Sequence, residues 1–210
     1  MNMISPEERL VVIGNGMAGM RAVEEILKRD PLRYRITVFG AEPHVNYDRI
    51  MLSSVLAGEK EMDQIVINPL GWYGENGIRL IAGDPVVSID RETQTVTSES
   101  GIIEPYDKLL LATGSRPIVP PIPGLERDGI CAFRDIADVD QMIRASTRHK
   151  RAIVIGGGLL GLEAANGLLK RGMAVAVVHL METLMERQLD PVAGKLLQRA
   201  LDERGLSFCM

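Results

Sequence analysis

Short runs of apolar and β-branched residues alternate along this chain with longer segments in which apolar and polar residues are mixed. The runs at 10–13, 35–39 and 108–112 predict strands, and the segment at 20–29 predicts a helix between the first two. The run at 108–112 is almost continuously apolar, as strands buried in a parallel sheet are. This order of elements predicts an α/β fold built on a parallel sheet.

The strand–helix–strand order returns in the second half of the chain. The predicted elements there are a helix at 136–146, a strand at 152–155, a helix at 162–170, and strands at 174–178 and 206–210. Smaller elements are predicted between the two sets: short helices at 50–56 and 69–76, a strand at 78–81, a hairpin at 85–90 and 93–97, and a stiff proline-rich linker at 117–124. We therefore expect one domain over 1–124, with a small antiparallel excursion over 85–104, and a second over 125–210.

A glycine-rich turn, GNGMAG, follows the first strand and precedes the first long helix. Its G-x-G-x-x-G spacing is typical of dinucleotide-binding folds. The first glycine permits the tight turn, the second lets the backbone approach a pyrophosphate, and the third lets helix and strand pack closely. We expect phosphates at the helix N-terminus, where unpaired N–H groups point. The predicted binding residues are Gly14, Asn15, Gly16, Met17, Ala18 and Gly19.

A second turn with the same spacing, GGGLLG, follows the strand at 152–155. Two such turns in one chain, with a buried strand ending in Ala-Thr-Gly between them, make dinucleotide binding the best interpretation of both. The predicted binding residues of the second turn are Gly156, Gly158, Leu159, Leu160 and Gly161.

Further candidates in the first half follow from their positions. Glu42 lies about 20 residues beyond the glycine turn, where an acidic residue binds the ribose hydroxyls. Thr113 and Gly114 end the buried strand, at the edge where ligands bind in open α/β sheets. Arg49 opens a helical segment, and its guanidinium suits either a phosphate or a surface cap, which the sequence alone leaves open.

The strand after the second turn ends in His179 rather than in a carboxylate. A carboxylate accepts the ribose hydroxyls of NAD and repels the 2′-phosphate of NADP, and histidine does neither strongly. Glu182 follows three positions later, and Arg187 suits a 2′-phosphate if its loop folds back. The sequence leaves NADH and NADPH both open.

Composition narrows the function further. The formal net charge is −4 with no basic arm, which gives no support for a nucleic-acid partner. Cys131 and Cys209 are the only cysteines and lie far apart, which excludes an iron–sulfur cluster, a Cys-rich zinc site or a redox dithiol held by this chain alone. The sequence has no signal-peptide pattern and no run of about 18 apolar residues, so we expect a cytoplasmic protein without a membrane partner.

These motifs resemble the pyridine nucleotide–disulfide oxidoreductase superfamily, in which an FAD-binding Rossmann-like fold contains an inserted NAD(P)-binding Rossmann-like fold. Without a C-x-x-C pair, the chain is similar to the branch that lacks a redox disulfide, such as the ferredoxin and rubredoxin reductases. Within that branch it resembles the N-terminal flavin region of nitrite reductase large subunits. The stretches that carry this resemblance are GNGMAG (14–19), YDRIMLS (47–53), YDKLLLATG (106–114), GGGLLGLEA (156–164) and LMERQLD (184–190).

The resemblance implies a role for each candidate. The first turn and Glu42 would contact FAD, with Arg49 along its flavin side, Val87 near the adenine, and Thr113 and Gly114 along the diphosphate–ribityl portion. The second turn and His179 would contact NAD(P)H. Glu163, in the first helical turn, would approach the junction of nicotinamide and flavin. Relatives often carry a lysine after the serine of the L-S pair, but Ser54 stands there in this chain.

The resemblance also implies the reaction. Hydride would pass from NAD(P)H to FAD, and electrons would pass on to a siroheme and a 4Fe–4S centre outside this chain. The second fold would then be truncated and both sheets incomplete, and their uncovered apolar edges favour either self-association into a homo-oligomer or poor stability. Two alternatives stay open: a stand-alone ferredoxin or rubredoxin reductase that serves a small redox protein, and a catalytically incomplete nucleotide-binding fragment.

Overall fold

The computed structural model describes residues 8–210. Its strands are β1 (Glu8–Ile13), β2 (Tyr34–Gly40), β3 (Arg79–Ala82), β4 (Val86–Asp90), β5 (Thr95–Ser98), β6 (Ile103–Pro105), β7 (Lys108–Leu111), β8 (Arg151–Ile155), β9 (Ala174–Val178) and β10 (Ser207–Cys209). Its α-helices are α1 (Met17–Arg29), α2 (Leu52–Leu56), α3 (Leu70–Glu75), α4 (Ile136–Arg148), α5 (Leu159–Lys170) and α6 (Pro191–Asp202), with short 3₁₀ helices at Arg49–Met51 and Met62–Ile65.

The chain forms two compact units. Within the described range, the first comprises residues 8–48 and Val66–Ser115, and the second comprises Arg49–Ile65 and Arg116–Met210.

The first unit is built on a parallel four-stranded sheet with the order β3-β2-β1-β7. Successive side chains of a strand point to opposite faces, so β1 contributes to two separate clusters. Leu10 and Val12 pack with Met20 and Val23 of α1. Val11 and Ile13 belong to the cluster on the other face. The central strand is therefore buried on both sides, which explains its uninterrupted apolar run.

A three-stranded antiparallel sheet, in the order β4-β5-β6, contributes to the second of these clusters. Val96 of β5 is fully buried there against the parallel sheet. The predicted hairpin is confirmed as β4 and β5. The sequence did not predict the third strand, β6, which is only three residues long and ends in Pro105.

The second unit has a three-stranded parallel sheet with the order β10-β9-β8. The segment 49–65 belongs to this unit, because α2 packs on α5. Arg171, just after α5, donates from Nε to the Leu56 carbonyl at 2.6 Å and from Nη2 to the Val55 carbonyl at 3.0 Å. These two bonds join the C-terminal end of α2 to the residue that follows α5. The Val55 carbonyl also accepts a 3.0 Å bond from the Gly58 N–H.

Helices α1 and α5 begin at Met17 and Leu159, earlier than the predicted starts at 20 and 162. The last three residues of each glycine turn are already helical, so the middle glycines, Gly16 and Gly158, are the N-caps. Helix α6 was not predicted from the sequence, although Asp190 caps it by accepting from the Ala193 N–H at 2.8 Å. Over the described range, none of the helices has the length and apolar character needed to cross a bilayer.

Candidate dinucleotide-binding sites

The first glycine turn is enclosed by backbone on two sides. Gly14 has a φ of +120°, and its N–H donates to the Phe39 carbonyl at 2.8 Å. A Cβ at Gly14 would lie 2.0 Å from the Ala112 carbonyl oxygen, and one at Gly19 would lie 2.4 Å from the Gly14 carbonyl oxygen. Because backbone cannot move aside cheaply, these two positions require glycine for the fold itself.

Gly16 differs, because this chain's own packing does not require glycine there. Its backbone is extended (φ −94°, ψ 179°), and no described atom would lie within 4 Å of a Cβ at this position. Helix α1 begins here with no capping side chain among the described residues and no acidic residue in its first turn. An open space at uncapped helical N–H groups fits the pyrophosphate of a dinucleotide.

The second glycine turn repeats this geometry. Gly156 has a φ of +119°, and its N–H donates to the Val178 carbonyl at 2.8 Å. A Cβ at Gly161 would lie 2.0 Å from the Gly156 carbonyl oxygen. Gly158 is extended (φ −84°, ψ 179°), faces open space, and starts α5 without a cap from any described side chain. The second turn therefore fits a pyrophosphate in the same way, through the N–H groups of Leu159, Leu160 and Gly161.

Two part-buried hydrogen bonds hold the side chain of Asn15 in the first turn. The Tyr73 hydroxyl donates to Asn15 Oδ1 at 2.8 Å, and Asn15 Nδ2 donates to the His44 carbonyl at 3.0 Å. Tyr73 in turn accepts a 3.2 Å bond from the Asn46 N–H. Burial raises the pKa of Tyr73, so its hydroxyl stays a neutral donor. No sequence motif indicates this link, since Tyr73 lies 58 residues from Asn15.

Glu42 lies in the loop after β2, which is tied to the loop before β4. The Glu42 carboxylate accepts a 2.7 Å bond from the Tyr47 hydroxyl, and its carbonyl accepts one from the Gly83 N–H at 3.0 Å. Val87 follows shortly after, in β4, with 63% of its surface exposed at a shift in the strand register. Its apolar side chain therefore faces outward on the first unit.

Thr113 and Gly114 follow β7 directly beside the first turn. A Cβ at Gly14 would lie 3.2 Å from the Thr113 backbone nitrogen, and Gly114 has a φ of +73°. The structure thus brings this strand end next to the first turn. Arg49 belongs to the second unit, where its Nη1 donates to the Arg134 carbonyl at 2.5 Å.

His179 follows the last residue of β9, beside the second turn. Its Nδ1 accepts a 3.1 Å bond from the Gly157 N–H, and its Nε2 lies 3.1 Å from the Glu186 carboxylate. Glu186 was not predicted as a site residue, although it lies within one of the stretches that carry the family resemblance. Glu182 and Arg187, the charged candidates that the sequence places near the ribose position, are both exposed.

Glu163 is the fifth residue of α5 and therefore lies in the second helical turn, not the first as predicted. The difference follows from the earlier start of the helix. Burial raises the pKa of the Glu163 carboxyl. In the described part of the chain, no three His, Cys, Asp or Glu residues are grouped to hold a metal ion.

In each fold, the second residue of the glycine turn and the residue at the end of the next strand compete for one internal space. The two folds fill that space with a side chain from opposite members of the pair. In the first, Asn15 of the turn provides a side chain and Gly40 of the strand end does not, and a Cβ at Gly40 would lie 2.9 Å from Asn15 Cβ. In the second, Gly157 of the turn lacks a side chain and His179 of the strand end provides one, and a Cβ at Gly157 would lie 2.8 Å from His179 Cγ. Only one of the two positions in each fold can carry a side chain.

Two sites of this form, each made by a strand, a glycine turn and a helix, define a protein with two Rossmann-like dinucleotide-binding folds. The chain belongs to the pyridine nucleotide-disulphide oxidoreductase family, whose model matches residues 8–210. Among known proteins it is 53% identical, over 97% of its length, to nitrite reductase [NAD(P)H] of Bacillus subtilis, and 38% identical, over 94% of its length, to the nitrite reductase (NADH) large subunit of Escherichia coli.

The chain spans only 25% and 23% of those two relatives. Among solved structures, NADH:rubredoxin oxidoreductase from Clostridium acetobutylicum matches with a TM-score of 0.86 and 30% identity, over 96% of this chain and 52% of that one. These matches confirm the predicted α/β fold and the predicted family resemblance.

Proposed function

We propose that this chain is the NAD(P)H- and FAD-binding module of a nitrite reductase large subunit. The observation that carries the proposal is the pair of glycine turns, each of which opens a helix with space for a pyrophosphate at its middle glycine. The similarity to nitrite reductases over nearly the whole chain supports it. Because the chain spans about a quarter of those relatives, siroheme and a 4Fe–4S centre would belong to the rest of such a subunit.

The first turn would hold the FAD pyrophosphate, with Glu42 at the adenosine ribose. Thr113 and Gly114 would border the same cofactor from the end of β7. Val87, whose side chain faces outward, would lie against the adenine. We place Arg49 on the flavin side of FAD, as the family resemblance implies.

The second turn would hold NAD(P)H, with His179 at the adenosine end and Glu163 towards the nicotinamide. When bound, NAD(P)H supplies a hydride and FAD accepts it, so the chemistry belongs to the cofactors. The residues of this chain bind and orient the two groups. Glu163, with its raised pKa, would add a carboxyl that holds a proton more readily than an exposed one.

Flavin absorbance tests the proposal directly. After FAD loading, the purified protein should show the visible flavin band, and NADH or NADPH should bleach that band in the absence of oxygen. Gly158→Ala should keep bound FAD and lower the rate of bleaching at low nucleotide concentration by about tenfold or more, because the new Cβ occupies the space for the pyrophosphate.

Gly71→Ala is the matched control, since this glycine of α3 also faces open space but lies outside both turns. It should bind FAD and be bleached like the wild type. A wild-type protein that binds FAD but is bleached by neither nucleotide would contradict the proposal and favour a binding fragment without turnover.

A stand-alone ferredoxin or rubredoxin reductase is the second candidate. The likeness to NADH:rubredoxin oxidoreductase favours it, as does 33% identity to rhodocoxin reductase of Rhodococcus erythropolis. The electron acceptor separates the two candidates: either a centre in the same subunit, or a small redox protein such as rubredoxin. Rapid reduction of added rubredoxin by the complete protein, without reduction of nitrite, would support the second candidate. A cytoplasmic location and self-association stay predictions from the sequence.

A further inference from the structure

The His179 side chain links the second glycine turn to a carboxylate on a different segment. The Gly157 N–H donates to Nδ1, and Nε2 lies 3.1 Å from Glu186 Oε2. A ring nitrogen that accepts an amide hydrogen bond carries no proton, so the ring proton lies on Nε2 and is donated to Glu186. The imidazole is therefore neutral, and the His179–Glu186 pair carries a single negative charge.

This pair is held firmly against the turn. The imidazole is only 9% exposed and the Glu186 side chain 30%. The Met185 N–H donates to the Gly157 carbonyl at 3.0 Å, and Leu184 is fully buried, so close that a Cβ at Gly157 would lie 2.6 Å from its Cδ2. The backbone of Gly157 thus binds both partners: its carbonyl accepts from the segment that carries Glu186, and its N–H donates to His179.

The end of β9 is the position that decides between the two nicotinamide dinucleotides. In folds of this kind, a carboxylate there accepts the ribose hydroxyls of NAD, and an arginine nearby accommodates the 2′-phosphate of NADP. Here the residue in that position is neutral, but it is bonded directly to a carboxylate. The charge next to the ribose position therefore comes from Glu186.

The other charged residues of the segment 179–190 also make its net charge negative. Over 179–190 the chain has one arginine, Arg187, against the carboxylates of Glu182, Glu186 and Asp190. A hydrogen bond from its own backbone amide is the main cause that lowers the pKa of Glu186, and His179 and Arg187 lower it further. Glu186 is thus an anion at neutral pH, and part of the positive charge of Arg187 is offset by it.

We propose that the His179–Glu186 pair makes the second site selective for NADH over NADPH, with Glu186 as the residue that determines the preference. The negative charge beside the strand end favours the free ribose hydroxyl and repels a 2′-phosphate. This inference rests on the proposed function of the second turn as the nicotinamide dinucleotide site.

Calorimetric titration of the FAD-loaded protein with NAD⁺ and with NADP⁺ tests the preference without turnover. The wild type should bind NAD⁺ with a Kd at least about tenfold lower than that for NADP⁺. Glu186→Gln removes the charge but keeps an acceptor for His179, and it should narrow the ratio of the two Kd values by about tenfold, mainly through tighter binding of NADP⁺. Glu182→Gln, an exposed carboxylate of the same segment, is the matched control and should leave the ratio unchanged.

Tighter binding of NADP⁺ by the wild type would overturn the inference, and so would a Glu186→Gln variant with an unchanged ratio. Equal Kd values for both nucleotides in the wild type would overturn the preference alone and leave the site as a nicotinamide dinucleotide site. Failure to bind either nucleotide would overturn the proposed function of the second turn and this inference with it.

Discussion

Arg9 and Asp107 join β1 to β7 through three hydrogen bonds to one carboxylate. The Arg9 backbone N–H and Nε donate to Oδ2 at 2.7 and 2.9 Å, and Nη2 donates to Oδ1 at 2.8 Å. The Asp107 N–H returns a bond to the Arg9 carbonyl at 2.9 Å. This clamp fixes the start of β7 beside β1, and therefore the place where Ala112 and Thr113 meet the first glycine turn.

We expect Asp107→Asn to lower the midpoint of thermal unfolding by several degrees near neutral pH. The side-chain bonds from Arg9 are the main reason that the pKa of Asp107 lies well below its ordinary value of 3.8. For a lowered pKa, the stabilisation is complete above the ordinary value and is lost as the pH falls through the lower value in the folded state. The gap between wild type and variant should therefore be constant near neutral pH and shrink below about pH 4.

Thermal unfolding followed by circular dichroism over a series of pH values measures this gap. Asp63→Asn, at an exposed aspartate, should show almost no difference from the wild type at any pH. A gap for Asp107→Asn that stays constant into acid would mean that the carboxylate charge is not what Arg9 stabilises.

Gly14→Ala should mainly lower stability, whereas Gly16→Ala should mainly weaken FAD binding. Gly14→Ala should cost about 3 kcal/mol or more, because of its positive φ and the 2.0 Å approach to a carbonyl oxygen. Gly16→Ala should change the free energy of unfolding by less than about 0.5 kcal/mol, because its Cβ meets no described atom. It should still weaken FAD binding by about tenfold or more, because the new Cβ displaces the pyrophosphate from its position. Urea unfolding and flavin titration measure the two quantities, and full FAD affinity in Gly16→Ala would argue against the first turn as the FAD site.

Tyr73→Phe should destabilise the protein by about 1–3 kcal/mol, because it removes the partner of one buried and one part-buried polar group. The buried Asn46 N–H would lose its acceptor, and the Asn15 amide oxygen would lose its donor. Tyr106→Phe is the control, since the Tyr106 hydroxyl makes only a 3.4 Å bond to the Asp90 carbonyl, and its cost should stay below about 0.5 kcal/mol. Equal costs for the two substitutions in urea unfolding would contradict the role of Tyr73.

Gly167→Ala should destabilise the protein although it raises helix propensity. Alanine in the interior of a helix is worth about 1 kcal/mol over glycine. In α5, however, a new Cβ would lie 2.7 Å from Cγ and 3.2 Å from Cβ of the fully buried Leu56 in α2. We expect a net loss of about 1–2 kcal/mol from this overlap.

Gly71→Ala in α3 meets no described atom within 4 Å and should instead gain up to about 1 kcal/mol. The comparison is made by urea unfolding of the two variants side by side. A gain in both would show that α2 shifts away from α5 at little cost.

The glycine turns could be predicted from the sequence because their requirements are local. Each turn lies between a strand and a helix of the same segment, so spacing alone indicates it. Glu186 could not be predicted, since its partner His179 is reached only after the chain turns back through Met185, at a positive φ of +53°. Tyr73 and Arg171 were missed for a similar reason, because they contact Asn15 and Leu56 at separations of 58 and 115 residues.

Asn15 and Gly40 compete for one space, and Gly157 and His179 compete for the equivalent space in the second fold. The effect of a substitution at one position of such a pair therefore depends on the residue at the other. A side chain at Gly157 collides with His179, and one at Gly40 collides with Asn15, as long as the present occupant stays. Neither fold can acquire the other's arrangement by one substitution at a time without an overlap or a void in between. Variant libraries that sample single positions will therefore score Gly40 and Gly157 as intolerant of substitution. An exchange of Gly40 together with Asn15 remains accessible, whereas a side chain at Gly157 requires changes at both His179 and Leu184.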